Sequence, residues 1–107
     1  MRWMRFGVML GALLLVSGHA GAANTRRVEE KNKAFSVSLI FLRPGERLTL
    51  TNSDDTTHSL FISNVRELAM KRQGPGESVT MEFSELGVYE VRCNFHAKMR
   101  LLVSVQD

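Results

Sequence analysis

One short stretch of the chain, YEVRCNFHAKM, carries three side chains that can bind a transition metal: Cys93, His96 and Met99, each three positions from the next. Thiolate, imidazole and thioether are soft or borderline donors, and together they suit copper. Outside the N-terminal segment the only other histidine is His58. Two histidines, one cysteine and a weak axial methionine form the ligand set of blue-copper sites that transfer electrons. The sequence therefore predicts one copper ion held by His58, Cys93, His96 and Met99.

Each of these residues also has an ordinary explanation. A lone cysteine is most often a small buried hydrophobe, and methionine is a common filler of cores. A lone histidine is usually a surface or core residue that binds nothing. The combined pattern, C-x-x-H-x-x-M after an alternating strand and with one histidine upstream, favours a metal site over these separate explanations.

The N-terminus has the three parts of a secretory signal: a positive start, an apolar run and small residues at a cleavage site. These parts are Arg2 and Arg5, Gly7 to Val16, and Ala20-Gly21-Ala22. The apolar run is too short for a membrane span, which needs about 20 residues. We therefore predict a cleaved signal peptide at residues 1–22 and a single exported domain at residues 23–107, with cleavage after Ala23 as the alternative. No membrane span is expected after cleavage.

The exported chain would contain one cysteine, so it cannot form an internal disulfide. An odd cysteine in an exported protein indicates an intermolecular bond, a reactive thiol or a bound metal. A metal would also stabilise this small domain by mass action. The net charge of +3 falls to about +1 when Arg2 and Arg5 are removed, which gives no reason to expect nucleic-acid binding.

Alternating apolar residues recur in short segments separated by turn-forming residues, as in an all-β sandwich. Phe35, Val37, Leu39 and Phe41 alternate with Ser36, Ser38, Ile40 and Leu42. This alternation predicts a strand buried on the face of the first set, and on both faces near its end. Leu48 with Leu50, and Leu101 with Val103 and Val105, predict buried faces of two further strands. The sequence predicts six to eight short strands in all.

Less regular segments lie between these strands. The polar residues before Lys33 predict a lead-in with a short edge strand around Val28. Arg43-Pro44-Gly45-Glu46 has proline and glycine at the central positions that a type II turn prefers. Arg66 to Arg72 predicts one or two helical turns.

The segment GVYEVRCNFHAKMR resembles the copper loop of the cupredoxins, the type 1 blue copper proteins, and especially those of the amicyanin and plastocyanin type. These proteins carry G-x-Y-x-x-x-C-x-x-H, and the short spacing to the following methionine matches the amicyanin type. KNKAFSVSLIFLRPGERLTLTNSDDTTHS resembles the first strands of the same family, ending at its first copper histidine.

The resemblance implies a Greek-key β-sandwich that holds one copper ion and carries single electrons in the periplasm. It assigns the ligand roles to His58, Cys93, His96 and Met99, and makes Tyr89 a structural residue that anchors a loop corner. Two positions depart from the family pattern. Ser59 stands where an asparagine usually ties the ligand loops together, and Phe95 stands where proline is common.

The predicted function is that of an electron carrier without enzymatic activity, and a monomer is expected. By analogy with the family, its partners would be redox proteins, such as a c-type cytochrome or a dehydrogenase, docking near His96 and Phe95. Phe95 could instead pack in the core. The rival functions are a periplasmic copper-homeostasis carrier, a copper enzyme and a metal-free sandwich. A copper enzyme would need histidines or cysteines that the chain lacks.

Overall fold

The computed structural model describes residues 24–65 and 71–107, and these form nine β-strands and no helix. The strands are β1 (Thr25–Lys31), β2 (Ala34–Phe35), β3 (Leu39–Leu42), β4 (Glu46–Asn52), β5 (His58–Ile62), β6 (Lys71–Gln73), β7 (Ser78–Phe83), β8 (Gly87–Cys93) and β9 (Arg100–Val105). The predicted all-β class is confirmed. The strand count is higher than predicted because β2 and β6 are too short to produce a periodic pattern.

The strands form two sheets whose inner faces enclose the core. One sheet has the order β2-β1-β4-β7, and the other has the order β3-β9-β8-β5-β6. The connections from β2 to β3, β3 to β4, β4 to β5, β6 to β7 and β7 to β8 pass between the sheets. Such crossing connections are typical of Greek-key sandwiches.

The core consists of residues that alternate along the central strands. Leu48 and Leu50 of β4 are fully buried, as are Leu101 and Val103 of β9, and Val105 is nearly so. Because side chains on a strand point alternately to opposite faces, this spacing places each set on an inner face. The buried faces predicted for these two strands are confirmed.

The turn between β3 and β4 has the geometry expected from its sequence. Glu46 N donates to Arg43 O at 3.0 Å, which closes a four-residue turn around Pro44 and Gly45. Gly45 has φ +90°, the left-handed conformation that a type II turn requires at its third position. This turn lies at the end of the sandwich opposite the C-terminal end of β4.

Tyr89 anchors a loop corner, as the family resemblance implied. Its Oη donates to the backbone oxygen of Glu85 at 2.8 Å, and its ring packs edge-on against Phe83 with 5.1 Å between centroids. This bond fixes the approach of the chain to β8, the strand that ends at Cys93.

The strand predicted over residues 35–42 is wrong in its extent and in its inner face. The segment forms two strands in different sheets, β2 and β3, and the backbone between them crosses from one sheet to the other. In β3, Ile40 is buried while Leu39 and Phe41 are exposed. The alternation is real, but periodicity does not indicate which of two apolar faces turns inward.

The strand predicted around Val28 is confirmed, but it is longer than predicted and is not an edge strand near Lys31. β1 spans seven residues and pairs in parallel with β4, while β2 covers its other side near Lys31. Although its sequence is mostly polar, Val28 and Glu30 are buried and form its inward face. Parallel pairing joins distant segments, so no local turn signal indicates the length of this strand or its pairing with β4.

Two predictions fall wholly or partly outside the described residues. Residues 1–22, predicted as a signal peptide, are not among them, and neither are residues 66–70 of the predicted helical turns. Lys71 and Arg72 belong to β6, so the helical prediction is wrong for these two residues. Among the described residues no helix is long and apolar enough to cross a membrane.

Candidate metal centre

Two neighbouring strands bring His58 and Cys93 to the same end of the sandwich. β5 begins at His58 and β8 ends at Cys93, and the strands are antiparallel with Leu60 opposite Cys93. Just past the last paired residues of these two strands, Asn94 N donates to Ser59 O at 2.8 Å. This backbone bond ties the two ligand-bearing segments together without the asparagine side chain that the family uses after its first histidine.

The loop between β8 and β9 places His96 and Met99. Met99 N donates to His96 O at 3.0 Å, which closes a tight turn. Arg92 donates from Nη2 to the backbone oxygen of Ala97 at 2.9 Å, so a side chain from β8 supports the middle of the loop. The loop is therefore held by hydrogen bonds at its centre and by strands at both ends.

Three donor atoms converge at this end of the sandwich. Cys93 Sγ lies 3.8 Å from His58 Nδ1 and 3.6 Å from His96 Nδ1. One donor atom from each of the three residues lies within 4.8 Å of the others. For metal–nitrogen and metal–sulfur bonds of about 2.0 and 2.3 Å separated by about 120°, the nitrogen and sulfur would be roughly 3.7 Å apart. The three donors are thus close enough together to hold one metal ion.

Met99 lies next to this triangle and is fully buried. The structure therefore brings together all four residues that the sequence singled out. Cys93 and His58 are buried as well, whereas His96 is partly exposed. A thioether, a thiolate and two imidazoles in a largely dry setting fit copper better than a hard cation such as Mg²⁺ or Ca²⁺.

A carboxylate orients the His58 ring. His58 Nε2 lies 2.9 Å from Asp54 Oδ2, and because a carboxylate accepts, this nitrogen carries the proton. In the neutral imidazole, Nδ1 is then the nitrogen that can bind a metal. Asp54 also accepts bonds from the backbone N–H groups of Asn32 and Lys33, at 2.6 and 2.9 Å. Desolvation opposes ionisation of Asp54, but these hydrogen bonds and the one from His58 outweigh it and hold its pKa below the usual value.

A second carboxylate, that of Glu30, lies near His58, and no sequence pattern indicated it. Glu30 is fully buried, and its Oε1 lies 4.0 Å from His58 Nε2. Burial raises the pKa of Glu30 to about 7, a rise that the Gln73 side chain partly opposes and Asp54 increases. Its position follows from the parallel pairing of Glu30 with Asn52, which no sequence pattern revealed.

Glu30→Gln is expected to stabilise the metal-free protein at pH 8 by on the order of 1–3 kcal/mol. The carboxyl of Glu30 shifts from a pKa of 4.5 to about 7 on folding, so the folded state binds more protons between these values. The wild type therefore loses stability as the pH rises through this window and levels off above it. Glutamine carries no charge, so its advantage should grow between pH 5 and pH 8.

Urea unfolding of both proteins at the two pH values measures this difference. Glu85→Gln, at an exposed carboxylate, is the matched control and should show little change. An advantage of Glu30→Gln that is equal at both pH values would show that burial does not disfavour the Glu30 charge.

Phe95 lies on the surface, which excludes the packing in the core that its sequence position also allowed. It is 47% exposed and stands edge-on to the His96 ring, with 6.4 Å between centroids. The Arg72 guanidinium lies 5.4 Å from the centre of the Phe95 ring. Desolvation, with smaller contributions from His58 and Lys33, lowers the pKa of His96 and so favours the neutral imidazole that a metal requires.

Solved structures similar to this chain are cupredoxins or contain cupredoxin-like domains. A copper-containing nitrite reductase from Thermus scotoductus SA-01 matches with a TM-score of 0.72 and 19% identity, over 88% of this chain and 25% of that one. A purple cupredoxin from Nitrosopumilus maritimus matches with a TM-score of 0.67 and 22% identity, over 75% of this chain and 98% of that one. A reduced amicyanin variant matches with a TM-score of 0.68 and 21% identity, over 82% and 86% of the two chains.

These similarities establish the fold, and the chain is a cupredoxin-fold sandwich with a histidine–cysteine–histidine donor cluster at one end. The chain spans only a quarter of the length of the nitrite reductase, but it aligns with most of each of the two small proteins. No protein-family model matches the sequence, and no curated protein matches it either.

Proposed function

We propose that this protein is an exported one-electron carrier that holds a single copper ion with His58, Cys93, His96 and Met99. The observation that carries the proposal is the triangle formed by Cys93 Sγ and the two histidine Nδ1 atoms, with separations of 3.6 and 3.8 Å to the sulfur. The similar structures include copper proteins that are small and single-domain, which supports the same function.

Copper supplies a centre that accepts and returns one electron without a change in the protein's covalent structure. The chain's own contribution is a rigid set of donors. β5 and β8 fix His58 and Cys93, and the hydrogen bond that His58 donates to Asp54 fixes the tautomer and the ring orientation of His58. Ligands held in this way move little when the metal changes oxidation state, which keeps the cost of electron transfer low.

Exposure of the four side chains indicates where electrons would enter and leave. His58 and Met99 are fully buried and Cys93 is nearly so, whereas His96 is partly exposed beside Phe95 and Ala97. The edge of the His96 imidazole is therefore the shortest route between the copper site and a docked partner. Redox encounters of this kind use small, transient interfaces.

The alternative function is a copper-homeostasis carrier, which would bind the same ion through the same residues but has to release it. A largely buried site, with His58 and Cys93 on neighbouring strands of one sheet and the other two residues on the adjoining loop, favours retention over release. Two rates separate the functions: bimolecular electron exchange with a redox partner, and copper loss to a chelator.

Phe95→Glu is expected to slow electron exchange about tenfold or more while leaving the copper spectrum nearly unchanged, because a charge on the docking surface must be desolvated or repelled. Ala97→Asp should act in the same direction. Stopped-flow electron exchange and copper transfer to a chelator are measured in parallel, with Leu86→Glu as a control at an exposed apolar position on the β7–β8 connection. Copper loss within seconds, together with normal electron exchange in both Phe95→Glu and Ala97→Asp, would contradict the electron-carrier function.

The proposal has three further parts. The protein is exported to the periplasm, it is a monomer, and it docks with redox proteins such as a c-type cytochrome or a dehydrogenase. The signal-like residues 1–22 support export. Intact-mass measurement of periplasmic material should give a chain beginning at Ala23 or Asn24. A retained N-terminus in the membrane fraction would contradict export.

A further inference from the structure

The surface around the exposed edge of His96 is rich in basic side chains. We call it the His96 face and define it by Phe95, His96 and Ala97 together with the basic residues Arg72, Lys33 and Lys98. All three basic side chains are exposed, and among the described residues none of them forms an ion pair. Their charges are therefore available to a partner.

Arg72 is held against the aromatic residue of this face. Its guanidinium carbon lies 5.4 Å from the centre of the Phe95 ring, within the range of a cation–π interaction. Phe95 in turn stands edge-on to His96. One aromatic ring thus separates a fixed positive charge from the histidine through which electrons would pass.

Lys33 and Lys98 extend the positive charge to other parts of the face. Lys33 N donates to Asp54 Oδ2, so its backbone is fixed beside the His58 side of the site. Lys98 lies in the ligand loop itself, between Ala97 and Met99.

The nearby acidic residues do not cancel these charges. The Asp54 carboxylate is only 9% exposed and is engaged by His58 and two backbone N–H groups. Glu90 pairs with Arg92 and Arg100, so those three residues together keep one net positive charge. Asp55 remains as an exposed carboxylate on the adjoining loop. The His96 face is therefore net positive although the exported chain as a whole is nearly neutral.

We infer that the partner docking on the His96 face is a redox protein with carboxylates around its own electron-transfer edge. This inference rests on the proposed electron-carrier function and adds the charge of the partner. Complementary charge speeds diffusional encounter and suppresses partners of like charge, and both effects weaken as salt is added.

Small redox reagents of opposite charge test the sign of the face directly. The copper(I) protein gives one electron to hexacyanoferrate(III), which becomes hexacyanoferrate(II), or to tris(phenanthroline)cobalt(III), which becomes the cobalt(II) complex. We expect the rate with the anionic reagent to fall as ionic strength rises. Arg72→Glu and Lys98→Glu should each slow the anionic reagent by about 3–10-fold and should not slow the cationic one.

Arg43→Glu is the matched control, because it makes the same charge change in the turn at the opposite end of β4. It should leave the ratio of the two rates nearly unchanged. The same series is then measured with two c-type cytochromes as protein probes, one with an acidic surface around its haem edge and one with a basic surface. The acidic cytochrome should react faster at low salt, and Arg72→Glu should remove its advantage.

The two proposals fail in different ways. If the wild type exchanges electrons with neither small reagent, the electron-carrier function itself is wrong. If it exchanges electrons with both reagents, but Arg72→Glu and Lys98→Glu leave the ratio of the anionic to the cationic rate unchanged, only the acidic-partner inference is overturned. A stable dimer that dissociates in Phe95→Glu would also overturn it, because the face would then be occupied by a second copy of the chain.

Discussion

Cys93→Ser is expected to abolish the intense visible absorption of the copper-loaded protein. The absorption of a blue-copper site arises from charge transfer between the cysteine sulfur and Cu(II), and serine offers a harder and far less acidic donor in the same place. Cys93 is the chain's single cysteine, so no other thiolate can replace it. Visible spectra of both proteins are compared at equal copper content, determined by elemental analysis.

Met99→Leu is the informative companion to this variant. Leucine fills a similar volume at a fully buried position, so the fold should persist. The axial thioether bond is long and weak, so the coloured site should remain and its reduction potential should shift. Loss of colour in both variants to the same extent would contradict the roles proposed for the two sulfur ligands.

Leu60→Ala is expected to cost about 2–5 kcal/mol of the free energy of unfolding in the metal-free protein. Leu60 is fully buried and lies opposite Cys93 in the pairing of β5 with β8, so its loss leaves a cavity beside the site. This cost is a large share of the 5–15 kcal/mol that stabilises a typical domain. Copper should offset part of it, by about 2.7 kcal/mol at a free concentration one hundred times the dissociation constant.

Urea unfolding with and without copper measures both effects. Leu86→Ala is the matched control, because this leucine is 59% exposed and its truncation should change stability by less than about 0.5 kcal/mol. If copper does not raise the stability of either the wild type or Leu60→Ala, the metal does not bind preferentially to the folded state and the site is misassigned.

Much of the site could be predicted because its chemistry is local and its residue types are rare in this chain. Three of the four proposed ligands share a loop with fixed spacing, and a single histidine was left to complete the set. The structure shows why His58 is the partner: β5 begins where β8 ends, next to it in the sheet. The faces of β4 and β9 were predictable for the same local reason, since each alternates over its whole length.

The residues that surround His58 could not be predicted, because long-range pairing places them there. Glu30 reaches the site only because β1 runs parallel to β4, and its sequence neighbours are polar and give no sign of burial. The outward orientation of Leu39 and Phe41 depends on which sheet receives β3, again a tertiary choice. Local sequence patterns thus identify the donor residues, whereas the strand topology determines which residues surround them.

The most direct test of the central claim is a titration of the purified metal-free protein with Cu(II), followed by visible absorption. The four-residue site predicts that an intense charge-transfer band grows linearly and stops at one equivalent of copper. It also predicts that one equivalent of a one-electron reductant bleaches the band and that reoxidation restores it. A band that never appears, an end point other than one copper per chain, or bleaching that cannot be reversed would contradict a single blue-copper centre that carries electrons.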